Sequence, residues 1–158
     1  MSNQFTRSYV IYKPKKDGSG SASQWNISGE RDCLFLEMSS QNGKNESGNP
    51  KFDWDNKIIF KLSESDIGEI LAVLSGKQAG IGPFSTERGK HKGLFHSNQR
   101  GNAILGFARD ESKACFKIYL SAKRDGDKTA CAHNITNGEA CILETLLRRS
   151  VEILYKWD

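Results

Sequence analysis

Apolar and polar positions alternate along much of this chain, and twice the alternation gives way to a helical period at a capping box. Lys57–Leu62 reads Lys-Ile-Ile-Phe-Lys-Leu, which puts Ile58, Phe60 and Leu62 on one side of a strand and Lys57, Ile59 and Lys61 on the other. Ser63-x-x-Asp66 follows, and then Ile67, Ile70, Leu71 and Leu74 recur at helical spacing. The scheme returns 73 positions later (Ser63 to Thr136): a strand-like run ends at Ile135, Thr136-x-x-Glu139 follows, and Leu143, Leu146, Leu147 and Leu154 carry the period. In such a box the cap hydroxyl accepts from the third helical N–H, while the carboxylate accepts from the N–H of the cap residue. Two junctions can look alike by chance. Here period, cap and register all agree, which predicts a duplicated unit of strands closed by one helix.

The remaining runs fill out each unit. Ser8–Lys13 is β-branched and aromatic, hence a strand; Pro14–Ser23 is a flexible basic loop; Gln24–Ser28 is a second strand carrying Trp25; and Cys33–Ser39 is a third. Gln41–Lys51 reads as a polar loop that need not be ordered, and Phe52–Leu62 as the fourth strand. The first helix is predicted over 65–75, with Gly76 as its stop. Beyond a glycine-rich connector, Gly93–Ser97, Ala103–Arg109, Lys113–Lys123 and Lys128–Ile135 are strands, the last after an Asp125-Gly126 turn, and a helix spans 137–156. The expectation is a single α+β domain over 1–158: half one at about 5–76, a connector at about 77–91, half two at about 92–158. Each half supplies four antiparallel strands and a helix, the two sheets pack at an angle, and the helices bury Ile67, Ile70, Leu71, Leu143, Leu147 and Val151.

At this point the chain resembles the Whirly family of single-stranded DNA-binding proteins. The passage Phe52-Asp-Trp-Asp-Asn-Lys-Ile-Ile-Phe-Lys-Leu-Ser-Glu-Ser-Asp-Ile-Gly-Glu-Ile-Leu is similar to that family's Tyr-Asp-Trp-x-x-Lys strand running into its Ser-x-x-Glu-Ile-Gly helix. Leu94-Phe95-His96 resembles a Phe-Phe-His passage, and Leu154-Tyr-Lys-Trp157 a last helix ending in Trp. One departure stands out. The family's Lys-Gly-Lys-Ala-Ala-Leu motif, associated with DNA contact and higher assembly, has only Tyr12-Lys13-Pro14-Lys15-Lys16 as its nearest counterpart, which keeps the charges and replaces Gly with Pro. The resemblance implies a Whirly-like duplication, binding of single-stranded DNA and a homotetramer with helices at its centre. Trypanosomatid mitochondrial RNA-binding proteins resemble the same fold, so RNA is an alternative ligand.

Composition changes this picture little. A net charge of +4 and a pI near 8.9 suit an anionic partner without identifying one. No apolar run approaches a membrane span, and the N-terminus lacks a secretory core, so the expected location is intracellular, with the compartment open. Cys33, Cys115, Cys131 and Cys141 read as reduced thiols. His91, His96 and His133 are scattered, Cys131-x-His133 with Cys141 makes a poor zinc set, and no phosphate loop or nucleophile elbow occurs. The chain is therefore expected to be no enzyme and to need no cofactor or metal.

A single strand asks a protein for cations to meet phosphates and flat rings to meet bases. Tyr9, Ile11 and Lys13 share one strand face, Lys117 and Tyr119 another, and Lys57, Ile59 and Lys61 a third. Any one lysine at such a position is ordinarily just solvated. The mixture with Ile59, Tyr119 and Phe35 is less ordinary. The candidate interface is Tyr9, Lys13, Lys15, Trp25, Trp54, Lys57, Lys61, Lys92, Arg109, Lys117 and Tyr119. A protein–protein regulatory module docking through the same faces, without nucleic-acid affinity, is the rival expectation.

Overall fold

The computed structural model describes residues 8–28, 33–82, 93–98 and 101–157. Strands β1 (Ser8–Lys13), β2 (Ser21–Ser28), β3 (Cys33–Lys44), β4 (Pro50–Phe52) and β5 (Ile58–Leu62) make sheet one and lead into helix α1 (Glu64–Leu74). Strands β6 (Gly80–Ile81), β7 (Leu94–Asn98), β8 (Gly101–Asp110), β9 (Cys115–Arg124) and β10 (Asp127–Thr136) make sheet two and lead into helix α2 (Asn137–Tyr155). All pairings are antiparallel. One edge of β3 is shared by β5, along Leu34–Met38, and by β4, at Gln41 and Lys44. One edge of β8 is shared in the same way by β7, along Gly101–Leu105, and by β6, at Phe107–Ala108.

The duplicated α+β scheme is present, and both helices begin at the expected boxes. Ser63 Oγ accepts from Asp66 N at 3.2 Å while Ser63 N donates to the Asp66 carboxylate at 3.0 Å; Thr136 and Glu139 repeat this at 3.1 and 2.9 Å. Three details differ from the sequence reading. Gln41–Lys51 is an ordered hairpin tip, because the Asn45 side chain accepts from Ser47 N and Asn49 N and Gly48 takes a φ of +81°. The single strand expected over Phe52–Leu62 is broken by a 3-10 turn at Trp54–Asn56, where the Asn56 amide donates to the Asp53 carboxylate at 2.9 Å. The connector contributes β6 to sheet two, and the break separates β4 from β5 in sheet one, so each sheet has five strands rather than four.

Cross-strand register fixes which side of each sheet is core. Tyr9, Trp25, Leu36 and Phe60 form one row across sheet one, and Cys131, Leu120, Leu105 and Leu94 form one across sheet two. Against these inner faces α1 buries Ile67, Ile70 and Val73, and α2 buries Ala140, Leu143, Leu147 and Leu154. Each fully buried large side chain contributes about 1.5–3 kcal/mol. Leu71 and Val151, expected in the core, are half-buried; buried Ser150 instead bonds its hydroxyl to the Leu147 carbonyl oxygen at 2.7 Å. Strand β10 meets the inner face of sheet one edge-on, and Ser21 Oγ donates to the Ala132 carbonyl oxygen at 2.9 Å. That meeting accounts for the serines at inward positions of β2, since a strand edge brings polar backbone with it. Among the described residues no helix is long and apolar enough to cross a membrane.

Candidate nucleic-acid interface

The core and helices take the inner faces, so residues of opposite parity make the outer ones. On sheet two, four of these rows lie about 7 Å apart, two residues of strand rise each, and a fifth, of Thr136, Cys115 and Asp110, lies beyond them. Lys128, Lys123, Asn102 and Ser97 form the first; Ala130, Ser121, Ile104 and Phe95 the second; Ala132, Tyr119 and Gly106 the third; Asn134, Lys117, Ala108 and Gly80 the fourth. Phe95 is 56% exposed and Ile104 36%. Tyr119 is half-buried, with the small residues Gly106 and Ala132 as its neighbours across both strands. Lys123 and Lys128 stand directly opposite each other, an arrangement that costs stability until an anion meets it. Neither makes an ion pair among the described residues. From the fourth row Lys117 pairs with Asp110 of the fifth at 3.0 Å. The Ser112 hydroxyl, and then the Lys117 ammonium, hold the Asp110 carboxyl down at about 2, so this pair persists across the physiological range.

The outer face of sheet one is a milder version. Val10, Gln24, Glu37 and Ile59 form its middle row, with Ser8, Asn26, Phe35 and Lys61 to one side. Ile59 is 41% exposed, and Lys57 is drawn to the Glu37 carboxylate at 3.0 Å. At the other end the Tyr12 ring lies against Phe52, centroids 5.4 Å apart, and the small Ala22 and Ser39 of that row are buried.

The structure thus sorts the residues read from sequence. Lys57, Lys61, Lys117 and Tyr119 lie on outer faces as expected. Trp25 does not: it is 0% exposed at the centre of the inner row, so it offers no face to a base. Tyr9 pairs across from Trp25 and therefore also faces inward, and burial, followed by the Glu139 charge, raises its phenol pKa. Lys13 shares that parity and bonds the Glu139 carboxylate at the start of α2. Burial alone would raise Glu139, but Lys13 and the Thr136 cap hold it below the usual carboxylate range. Trp54 sits half-buried on the 3-10 turn, away from the rows. Arg109 lies at the end of β8 with its guanidinium over the Phe116 ring, 5.3 Å from the centroid. Lys92 is outside the described residues. Sequence reading missed Lys123, Lys128, Ile104 and Phe95. The Asp125-Gly126 turn could have found the lysines, because a two-residue hairpin loop makes Arg124 face Asp127 and Lys123 face Lys128.

Lys15 lies in a third setting. The loop 14–20 overhangs the β10 edge, its two ends stapled by Gln41, whose Oε1 accepts from Lys15 N at 2.9 Å and Gly20 N at 3.1 Å. Beneath it is a cavity of about 580 Å³ whose walls include Lys13, Lys15, Lys113, Lys117 and His133. His133 Nδ1 sits 3.1 Å from the Asn134 carbonyl oxygen, which only accepts, so Nδ1 carries the proton and Nε2 accepts from Ser23 Oγ at 2.9 Å. Burial, with Lys13 adding to it, lowers its pKa to about 4 from 6.5. Protons therefore bind the unfolded chain more tightly than the folded one. The stability from keeping His133 neutral is fully present above pH 6.5 and is lost as pH falls toward 4. Discounted for partial exposure, the loss is about 1–2 kcal/mol. Urea midpoints of wild type and His133→Asn at pH 7 and pH 4.5 check this: the variant should show the shallower decline. Among the described residues no group of three or more His, Cys, Asp or Glu side chains is placed to hold a metal ion.

No protein-family model and no curated protein matches the chain. Solved structures do. WHY1 from Arabidopsis thaliana, a Whirly protein, superposes with a TM-score of 0.70 at 17% identity over 99% of this chain and 89% of its own. The plant transcriptional regulator PBF-2 gives 0.71 at 16% identity over 99% and 86%. A guideRNA-binding protein complex bound to a gRNA gives 0.68 at 12% identity over 94% and 92%. The chain has the Whirly fold.

Proposed function

We propose that this chain binds single-stranded nucleic acid along the outer faces of its sheets, with sheet two as the main track. The observation that carries the proposal is the outer face of sheet two, where opposed Lys123 and Lys128 border exposed Phe95 and Ile104 and half-buried Tyr119. Water gains nothing from such a mixture, whereas a strand with unstacked bases uses both halves of it. A sheet face has no helix to lay in a major groove, so duplex is a poor fit and sequence preference is weak. The fold neighbours support the reading, since one is a transcriptional regulator and another a guide-RNA complex. Single-stranded DNA is the first ligand proposed; RNA is the second reading, favoured by the guide-RNA neighbour. Fluorescence polarisation with labelled single-stranded DNA, single-stranded RNA and duplex, each about 30 nucleotides, tests this. Single-stranded DNA should bind tightest and duplex weakest. No binding by any of the three would leave a protein-docking module as the better reading.

The proposal includes a binding protein, not an enzyme, and a homotetramer. Helix α2 leaves Ile142 and Tyr155 exposed, and just past its left-handed cap at Lys156 Trp157 is 63% exposed with its ring stacked on Tyr155, while Leu146 and Ile153 pack against the core. Exposed apolar side chains of this kind are what a second copy covers. Light scattering at micromolar concentration should give four times the chain mass, and Ile142→Asp with Trp157→Asp should give the single chain. An intracellular setting is proposed with it, supported by the buried thiols of Cys33, Cys115 and Cys131.

A further inference from the structure

The track on sheet two ends at the cavity beneath the 14–20 loop, and we infer that this cavity holds a single nucleotide by its phosphate, at a strand end or where the strand turns off the sheet. The inference rests on the proposed single-strand binding and names a subsite of it. Three separate segments bring the charge there: β1 and its loop give Lys13 and Lys15, the turn before β9 gives Lys113, and β9 gives Lys117. Glu139 answers Lys13 and Asp110 answers Lys117, while Lys15 and Lys113 form no ion pair among the described residues, Lys15 having only the more distant Asp17 carboxylate of its own loop to balance it. Two ammonium groups not held in ion pairs around one concavity suit a dianionic phosphate.

The cavity is much larger than a phosphate needs, and its volume of about 580 Å³ falls in the range of small-molecule sites. Its remaining wall is suited to a base and sugar, with the Tyr12 ring and Pro14 on the apolar side and the Asn134 amide as a hydrogen-bonding group. Tyr12 is braced by Phe52, and the loop is braced by Gln41 at both ends. A Cβ at Gly20 would run into the Lys13 carbonyl oxygen, so the loop closes tightly only because residue 20 is glycine. The walls are therefore set before any ligand arrives, which lowers the ordering cost of binding. Asn134 and Lys117 belong to the fourth row of the outer face, so a strand lying on sheet two reaches the cavity without leaving the surface.

The test is an amide-resolved NMR titration of the full chain with dTMP, inorganic phosphate and thymidine, run beside polarisation with the 30-nucleotide DNA. Saturable shifts at Lys15, Gly20, Lys113 and Asn134 are expected with dTMP, at least about fivefold tighter than with inorganic phosphate, since the base adds a stacking contact. Lys15→Ala with Lys113→Ala should weaken dTMP about tenfold or more, with two charge-assisted contacts gone. Lys123→Ala with Lys128→Ala should leave dTMP unchanged. No saturable shift, equal affinity for phosphate and dTMP, or an unaffected Lys15/Lys113 variant would overturn the subsite. If the long oligonucleotide binds and dTMP leaves the cavity silent, the subsite fails and sheet binding stands. If dTMP binds and no oligonucleotide does, the sheet reading fails and the subsite stands.

Discussion

Trp25→Ala is expected to destabilise the fold by about 3–5 kcal/mol, the range for emptying a large aromatic site in a closed core. The ring is fully buried between Tyr9 and Leu36 in a row that crosses sheet one from β1 to Phe60 of β5. For a domain whose whole stability is about 5–15 kcal/mol, such a loss leaves a substantial unfolded fraction or abolishes folding. The variant alone cannot separate a core ring from a base platform, because both lose binding when the protein unfolds. Trp25→Phe separates them. The indole Nε1 has no hydrogen-bond partner among the described residues, so Phe removes an unsatisfied buried donor together with part of the ring. Its urea midpoint should fall far less than that of the alanine variant, and its affinity for single-stranded DNA should equal that of wild type. A Trp25→Phe protein with native stability and tenfold weaker binding would return this ring to the interface.

The fate of Trp25 also shows how far sequence reaches here. Alternation tells which residues share a face, and those groupings were legible: Tyr9 with Ile11 and Lys13, Lys57 with Ile59 and Lys61, Lys117 with Tyr119. Alternation does not tell which face is inside. That is decided by partners in register, and Tyr9 faces inward because it stands opposite Trp25. Polar residues at inward positions added to the ambiguity. Ser21, Ser23 and Lys13 make the inner side of sheet one look wet, and only the arrival of β10 and the start of α2 explains them. The capping boxes were legible to the residue because all of their chemistry lies within four positions. The hairpin tip at 41–51 was not, since composition hides the few Asn and Gly bonds that order it. Phe95 and Ile104 escaped notice because an outward aromatic and an inward one look the same in a strand read alone.

The second large effect is expected on the outer face of sheet two, where charge and stacking can be separated by salt. Lys123→Ala with Lys128→Ala removes two phosphate contacts, so the slope of log affinity against log salt should shrink by about 1.4, two contacts at about 0.7 each for a single strand. The same pair should slightly stabilise the free protein, because two like charges directly across the hairpin are gone. On sheet one, Lys57→Ala with Lys61→Ala should shrink the slope by only about half as much. Lys57 is already engaged by Glu37 and has less to give a phosphate. Tyr119→Ala should act differently. Its cross-strand neighbours are Gly106 and Ala132, and a urea midpoint measured beside the binding shows whether the variant keeps its fold. The lost stacking contact is worth about 1–3 kcal/mol, or roughly 5- to 150-fold in affinity, at every salt concentration and with the slope unchanged. A flattened line from the lysine pair together with a parallel, lowered line from Tyr119→Ala identifies a track that uses phosphate and base at once. Equal slopes for wild type and both lysine pairs, with Tyr119→Ala binding as tightly as wild type, would remove the strand from the sheets altogether.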